Sequence, residues 1–250
     1  MKALRLHGVG DLRLEVEPTP EPKEGETLVQ VTAVGICGSD LHWFDEGAIG
    51  DARLTRPLVL GHEFAGVLEN GERVAVDPAI PCGHCEMCRE GNPNLCPQVR
   101  FAGHGLLDGA LREFLPWPSN NLYLLPDSIS DAEGALLEPL GVALHAIDLG
   151  HLRPGMTVGV FGCGPIGLLI VQVARASGAS RIIATDRLDH RLEAAREFGA
   201  TVAIRAREGQ EDEEVWEAAG RRGVDVAFEA AGEDQAVDAA IAAARPGARV

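Results

Sequence analysis

The sequence predicts an α/β protein in two parts, a β-rich first part followed by a parallel sheet with helices. Two observations predict this class. In the first half, DLRLEVE and TLVQVTAV alternate apolar and polar residues and are separated by the proline-rich PTPEPKEGE. From about residue 151 the pattern changes to apolar strand, glycine turn and amphipathic helix, which is typical of parallel α/β sheets. We therefore expect two domains, at 1–150 and 151–250.

The elements around and beyond the boundary follow one another in a regular order. A helix is predicted from Asp131, where Leu136, Leu140, Leu144 and Ile147 recur at helical spacing until HLRPG breaks the segment. Beyond it, the apolar runs TVGVF, RIIAT, TVAI and VDVAFEAAG are predicted as strands. The segments between these runs are predicted as helices.

Charge and composition exclude several classes of function. The chain has 22 Lys and Arg against 38 Asp and Glu, and its formal net charge of −16 repels nucleic acid and anionic membrane surfaces. We therefore expect small-molecule partners, no nucleic acid and no membrane. The first seventeen residues lack the apolar stretch of a secretory signal, so we expect a cytoplasmic location. The uncharged segment 154–174 is interrupted by glycines and a proline, which predicts a turn between two shorter elements.

Four of the six cysteines stand at metal-binding spacing in a lobe at 78–98. Cys82, Cys85, Cys88 and Cys96 form C-x2-C-x2-C-x7-C, which in a reducing compartment favours metal over disulfides. Four thiolates fill a tetrahedral zinc and leave no position for a substrate, so we expect a structural zinc. Scattered reduced thiols and an iron–sulfur cluster are the alternatives. His84, inside the run, is interpreted as a surface residue.

A glycine motif opens the second part. Gly162, Gly164 and Gly167 spell G-x-G-x-x-G after the strand TVGVF and at the start of a helix that begins with Pro165 and Ile166. In this context the pyrophosphate of a dinucleotide meets the unpaired N–H groups of the helix N-terminus. We expect all five residues to contact such a cofactor.

Asp186 ends the next predicted strand, nineteen residues after Gly167. A carboxylate at this place accepts the ribose hydroxyls and repels a 2′-phosphate, which predicts NAD rather than NADP. Arg187 follows directly, is included among the cofactor-binding residues and would soften that preference. Cys163, within the turn, is interpreted as a small filler side chain.

Four further residues that commonly bind metals are dispersed along the chain. They are Cys37 in GICGSDLH, His62 and Glu63 in GHE, and Glu138 in LLEPLG. Each alone is a weak signal, since a single cysteine is usually packed in a core and a single glutamate is usually solvated. Glu138 lies in a nearly apolar helix, where an unpaired carboxylate costs on the order of several kcal/mol and favours a nearby cation.

Taken together, the motifs resemble the zinc-dependent medium-chain dehydrogenases, and most closely their sorbitol (polyol) and threonine dehydrogenase branch. GICGSDLH, GHE, the cysteine run, LLEPLGVALHA and GVFGCGPIG occur there in the same order, and the resemblance covers essentially the whole chain. It implies a GroES-like β-barrel catalytic domain at 1–150, a Rossmann NAD-binding domain at 151–250 and a homo-oligomer, either a dimer or a tetramer. Because a Rossmann sheet normally has six strands and Arg249 and Val250 resemble the start of a fifth, we expect the last strands to be missing.

The resemblance also assigns roles to individual residues. It implies a catalytic zinc on Cys37, His62 and a carboxylate, either Glu63 or Glu138, with one open coordination position. Neighbouring residues of a strand point to opposite faces, so His62 and Glu63 share an ion only where the strand bends. With the zinc in the cysteine lobe, we expect two zinc ions per chain.

Three more residues acquire roles around that zinc. Ser39 and His42 occupy the positions that relay the substrate proton to water in the family. Asp40 is expected to accept a hydrogen bond from His62 and so fix the tautomer of the ligand. Phe101 and His104 are expected either to line the substrate pocket or to serve packing.

The resemblance implies a zinc-dependent oxidoreductase that transfers hydride from a secondary alcohol of a polyol to NAD, giving a ketose. The alcohol-dehydrogenase branch has cysteine where this chain has Glu138, and threonine dehydrogenases tend to have threonine where it has Ser39. Threonine, glucose and other secondary alcohols stay alternative substrates. A zinc-free quinone-reductase relative would lack Cys37 and His62, and a silent binding homologue would need a broken ligand set.

Overall fold

The computed structural model describes all residues from Met1 to Val250, which form two compact units, Met1–Glu138 and Pro139–Val250. The sequence places the domain boundary at residue 150 instead. The difference arises because Ala143 and Ile147, on the helix just before residue 150, pack into the core of the second unit. The boundary of the functional domains stays a prediction.

The first unit consists mainly of short antiparallel strands. The strands are β1 (Lys2–Gly8), β2 (Asp11–Val16), β3 (Glu26–Val34), β4 (Ala48–Ile49), β5 (Ala52–Arg53), β6 (Leu58–Val59), β7 (Phe64–Val67), β8 (Arg73–Val76), β9 (Ala79–Ile80), β10 (Arg100–Phe101), β11 (Phe114–Pro118) and β12 (Leu122–Leu124). The helices are α1 (Gly38–Glu46), α2 (Glu86–Arg89) and α3 (Asp131–Ala135), with 3₁₀ turns at Pro93–Leu95 and Ser119–Asn121. The predicted strands β2 and β3 are confirmed.

Helix α1 is not predicted by the sequence. It has nine residues, of which only Asp40 and Trp43 are buried. A helix with so few buried positions shows no apolar repeat, and apolar periodicity is the main helix signal in a sequence.

The main sheet of the first unit has five strands in the order β11-β3-β7-β8-β12, all antiparallel. Its core contains Phe64 and Trp117, whose rings meet edge to face with centroids 6.1 Å apart. A second sheet has the order β2-β1-β6. The segment between β6 and β7 therefore connects the two sheets, and it carries His62 and Glu63.

The second unit is a parallel sheet with helices. Its strands are β13 (Thr157–Phe161), β14 (Arg181–Asp186), β15 (Val202–Arg205), β16 (Val224–Glu229) and β17 (Ala244–Arg249). Its helices are α4 (Leu137–Leu149), α5 (Pro165–Ala176), α6 (Asp189–Phe198), α7 (Glu211–Ala218) and α8 (Asp234–Ala243). The four predicted strands and the helices between them are confirmed, whereas the helix predicted from Asp131 is divided into α3 and α4. None of the helices combines the length and the apolar composition of a membrane span.

Alternate residues of the central strands face two separate cores. Val158 and Val160 of β13 pack with α4, α5 and α6, whereas Phe161 packs with α7 and α8. The sheet is thus covered on both faces, which explains why its strands read as continuous apolar runs.

The fifth strand corrects the prediction that it opens at Arg249. Strand β17 begins at Ala244 and pairs with β16 from Val224↔Ala244 to Val226↔Arg249, with an irregular register between them. Pro246 and Gly247 lie inside this strand, so its sequence lacks the apolar run that predicts a strand. Both are tolerated because β17 is at the edge of the sheet.

The strands lie in the order β15-β14-β13-β16-β17. From β13 the chain adds strands first on one side, as β14 and β15, and then on the other, as β16 and β17, so the order reverses between β13 and β16. Ligands of open parallel sheets bind in the crevice at the carboxyl ends of the strands where the order reverses. The first glycine of the predicted motif, Gly162, directly follows β13 at this point.

Candidate metal and cofactor sites

Three of the dispersed residues meet in the first unit. One ligand atom each of Cys37, His62 and Glu63 lies within 4.8 Å of the other two. His62 and Glu63 are buried and Cys37 is half-buried. A thiolate, an imidazole and a carboxylate are the donors that zinc takes in catalytic sites, where three protein ligands leave one position open.

Local backbone geometry brings the three donors together. Cys37 is the N-cap of α1, just beyond β3. Glu63 lies at a bend in the link between β6 and β7, so His62 and Glu63 are not neighbours in a regular strand and both can face one ion. Gly35 makes room for the carboxylate, because a Cβ there would lie 2.1 Å from Oε2 of Glu63.

The electrostatics of the cluster favour a bound cation. Burial raises the pKa of the Cys37 thiol, an effect that hydrogen bonds from Ser39 oppose. Burial also raises the pKa of the Glu63 carboxyl, and His62 opposes that shift. Both charged forms are thus only partly compensated within the protein, and a divalent metal would supply the rest. The residues present therefore fit a zinc ion.

Glu138 stands near this cluster without joining it. It lies in the first turn of α4, and its oxygens are not among the atoms that come within 4.8 Å of one another. Burial raises the pKa of its carboxyl, with His62 opposing and Glu63 adding to the shift. Of the two candidate carboxylates, Glu63 thus has the closer position to Cys37 and His62.

Asp40 accepts hydrogen bonds from the two chain segments that carry Cys37 and His62. Its Oδ2 accepts a hydrogen bond from the backbone N–H of Cys37 at 2.9 Å, and its Oδ1 accepts one from Gly61 at 3.1 Å. Nδ1 of His62 lies 4.0 Å from Oδ1, beyond hydrogen-bond distance. The predicted hydrogen bond from His62 is thus not formed in this structure, while the contacts to the two backbone amides were not foreseen from the sequence.

The two relay candidates lie on α1. Ser39 is half-buried and its polar groups lower the pKa of the Cys37 thiol, whereas His42 is exposed. Nδ1 of His42 lies 2.9 Å from Oε1 of Glu46, one turn further along the helix. Ser39 thus stands beside the metal cluster and His42 faces solvent.

Phe101 and His104, the two candidates for the substrate pocket, contact different aromatic rings. Phe101 packs against His62, with ring centroids 5.3 Å apart. His104 packs edge-on against Trp43 at 5.4 Å and is otherwise exposed. Phe101 therefore borders the metal cluster directly, while the contact of His104 is with the buried face of α1.

The four cysteines of the lobe form a second cluster. The sulfurs of Cys82, Cys85, Cys88 and Cys96 all lie within 4.8 Å of one another, and all six cysteines of the chain are free. Backbone N–H groups donate to three of the sulfurs at 3.3–3.5 Å. The N–H of His84 lowers the pKa of Cys82 to about 6, whereas burial and the neighbouring thiols raise the pKa of Cys88 to about 12. The set fits a closed zinc site, and the exposed His84 bonds a carbonyl instead.

The glycine motif forms the turn from β13 into α5. Gly162 has a φ of +98°, which other residues avoid, and a Cβ there would lie 2.6 Å from the backbone of Ala231. Gly167 packs so closely that its Cβ would lie 1.9 Å from the carbonyl oxygen of Gly162. A Cβ on Gly164, the N-cap of α5, would meet open space. That open space at a helix N-terminus fits the pyrophosphate of a dinucleotide.

A cavity of about 710 Å³ adjoins this turn and is lined by Gly162, Gly164, Asp186 and Arg187, among others. Asp186 is buried at the end of β14. Its Oδ2 accepts from the N–H of Cys163 at 2.8 Å and its Oδ1 from that of Leu188 at 2.9 Å. The carboxylate therefore fixes the glycine turn as well as facing the cavity. Pro165 and Ile166 form the first turn of α5 but are not among the lining residues.

Comparison with known proteins shows the family of the chain. Residues 23–127 match the alcohol dehydrogenase GroES-like domain, and residues 165–250 match the zinc-binding dehydrogenase family model. The chain is 42% identical to sorbitol dehydrogenase of Bacillus subtilis, over all of this chain and 74% of that protein. The chain belongs to the zinc-dependent medium-chain dehydrogenases. It is also 41% identical to the probable D-xylulose reductase A of Emericella nidulans, over 97% of this chain and 72% of that one.

Solved structures resemble this dehydrogenase over nearly its whole length. A zinc-binding dehydrogenase from Sinorhizobium meliloti bound to NADP has a TM-score of 0.91 and 35% identity, covering 99% of this chain and 74% of its own. The short chain alcohol dehydrogenase from Escherichia coli complexed with NADH has a TM-score of 0.89 and 34% identity, covering 100% and 74%. The predicted GroES-like and Rossmann folds are confirmed, as is the class of enzyme, a zinc-binding oxidoreductase acting on alcohols.

Proposed function

We propose that this dehydrogenase oxidises a secondary alcohol of a polyol to a ketose with NAD as the hydride acceptor. The observation that carries the proposal is the three-donor cluster of Cys37, His62 and Glu63 in a chain so similar to a sorbitol dehydrogenase. The similarity to a D-xylulose reductase points to the same substrate class, because xylulose is a ketose.

In this proposal the chain holds two zinc ions. Cys37, His62 and Glu63 would hold the catalytic one, and the four cysteines of the lobe would hold the structural one. A zinc ion at the first site lowers the pKa of a substrate hydroxyl, and NAD supplies the hydride acceptor. Glu138 would be a neighbouring carboxylate and not a permanent ligand.

The other residues of the site bind, orient or move protons. Ser39 would take the substrate proton and His42 would release it to solvent, which agrees with the half-buried place of one and the exposure of the other. Phe101 packs against His62 and would limit the access of water to that side of the cluster. Asp40 would keep the backbone of Cys37 and Gly61 at a fixed separation.

The glycine turn and the adjoining cavity would bind the adenosine half of the cofactor. The carboxylate of Asp186 favours ribose hydroxyls over a 2′-phosphate, which supports NAD. A homo-oligomer and a cytoplasmic location stay predictions from the sequence.

A substrate panel tests the proposal. NADH formation is measured with sorbitol, xylitol, ethanol, L-threonine and glucose, each over a range of concentrations. We expect kcat/KM for the polyols to exceed that for ethanol at least about tenfold, because a site that pairs several hydroxyls discriminates against substrates that lack them. Preference for L-threonine, glucose or ethanol would contradict the polyol assignment.

A further inference from the structure

The cavity beside the glycine turn has an excess of negative charge. Three arginines and six aspartates and glutamates line it, a formal excess of three negative charges. Such a lining disfavours an additional phosphate at the ribose. The arginines are the only cationic side chains available to offset this, so their partners decide what the cavity can bind.

Each of the three arginines already faces a carboxylate. Arg191 lies 3.6 Å from Asp186, and Arg207 lies 3.9 Å from Glu214. The shortest pair joins Nη2 of Arg187 to Oε1 of Glu233 at 2.9 Å. Both of these residues line the cavity, and Arg187 directly follows Asp186 in the chain.

We propose that Glu233 is a specificity-determining residue that holds Arg187 and so denies its guanidinium to the 2′-phosphate of NADP. A guanidinium binds phosphate and carboxylate through the same fork of N–H donors, so the two compete for it. This inference rests on the proposed function, in that it takes the cavity as the site of the adenosine half of NAD.

The contacts of Glu233 distinguish it from the other acidic residue at this place. Asp186 is buried and both of its oxygens accept backbone N–H groups, so changing it disturbs the glycine turn. The Glu233 side chain has Arg187 as its partner, and the two side chains are 55% and 64% exposed. Glu233→Gln therefore removes the charge without removing a buried contact, and an exposed pair of this kind yields readily to a competing ligand.

Binding of two nucleotides tests the proposal without relying on enzyme activity. Adenosine 2′,5′-bisphosphate carries the 2′-phosphate and 5′-AMP lacks it, and the affinity for each is measured by calorimetry. In Glu233→Gln we expect the ratio of affinities to shift on the order of fivefold toward the bisphosphate, the scale of one exposed ion pair. In the double variant Glu233→Gln/Arg187→Gln we expect that gain to be lost.

The matched control is Glu217→Gln. Glu217 pairs with Arg221 at 2.8 Å, is as exposed as Glu233 and does not line the cavity. We expect this variant to keep the parent ratio, which separates a local effect from the general loss of one negative charge. The ratio of kcat/KM for NADP to that for NAD should rise in Glu233→Gln in the same direction as the affinities.

Two results would overturn the inference. One is an unchanged affinity ratio in Glu233→Gln when the parent binds 5′-AMP. The other is a gain that persists in the double variant, which would show that Arg187 is not the group released. A parent chain that binds neither nucleotide would overturn the proposed cofactor site itself, and the inference with it.

Discussion

At the scale of single residues, Asp40 connects the two segments of chain that carry the metal donors. One oxygen accepts the N–H of Cys37 and the other accepts the N–H of Gly61, the residue before His62. The carboxylate is only 4% exposed. A buried carboxylate with two charge-assisted hydrogen bonds fixes the distance between its partners. Asp40 is thus a positioning residue for the proposed catalytic zinc.

The Asp40→Asn variant tests this role. The amide offers a single oxygen, so one of the two backbone N–H groups loses its acceptor and the donors are held less firmly. We predict that the affinity of the catalytic site for zinc falls about 10- to 100-fold, the usual effect of losing such a support. Competition with a chelator measures it, and the zinc of the cysteine lobe should be unaffected.

Asp45→Asn provides the matched control, since Asp45 lies on the same helix and is exposed. It should keep the parent affinity. Equal zinc affinity in the two variants and the parent would show that Asp40 does not position the donors.

The sequence predicts only some of the contacts in the metal and cofactor sites. Motif order and resemblance name Cys37, His62, Glu63 and Glu138 as candidate ligands, and the first three lie close together in the structure. The hydrogen bond from the backbone N–H of Gly61 to Asp40 spans twenty-one positions and joins a loop to helix α1, and no local pattern encodes such a contact. The ion pair of Arg187 with Glu233 is likewise invisible in the sequence. It forms only because the parallel sheet brings the carboxyl ends of β14 and β16 to one edge.

Among the secondary-structure elements, the turn from β13 into α5 includes two glycines, Gly164 and Gly167, whose surroundings differ. Gly167 permits close packing, because a Cβ there would collide with the carbonyl of Gly162. Gly164 leaves space at the helix N-terminus, where a Cβ would meet no protein atom within 4 Å. Its φ of −69° also suits an alanine. Gly167 therefore has a packing role, and we propose that Gly164 leaves space for the cofactor.

A pair of alanine substitutions separates these tasks. We predict that Gly167→Ala lowers the free energy of unfolding by about 1–3 kcal/mol or more, since overpacking against backbone has no easy relief. Gly164→Ala should keep the parent stability and weaken NADH binding at least about tenfold, since the added methyl group occupies the space left for the pyrophosphate. Denaturant unfolding and NADH fluorescence titration measure the two effects. The reverse pattern, a destabilised Gly164→Ala with normal NADH binding, would contradict the assignment.

Element prediction succeeded where the pattern is long and strongly apolar. Strands β13, β14 and β16 are buried on both faces and are recognised as continuous apolar runs between helices. Helix α1 escapes recognition because it is short and largely exposed, and β17 because Pro246 and Gly247 interrupt it. Several strands of the first unit have only two residues, too few to show an alternating pattern.

At the scale of the whole molecule, each unit contains one part of the proposed reaction. The metal cluster lies within Met1–Glu138, and the glycine turn with its cavity lies within Pro139–Val250. The chain spans about 74% of the length of the sorbitol dehydrogenase that it matches. We propose that a zinc ion held by Cys37, His62 and Glu63 is required for oxidation of the alcohol, whereas the cysteine lobe has no open position for chemistry.

The rate of NADH formation from a polyol, measured together with the zinc content of the same sample, tests that claim most directly. The parent chain should contain two zinc ions, and Cys37→Ala should contain one and be slower at least about a thousandfold. Cys163→Ala serves as the control for metal content, because Cys163 is buried and belongs to neither cluster, and it should keep two zinc ions. A Cys37→Ala variant that retains two zinc ions, or that oxidises the polyol at the parent rate, would contradict the account.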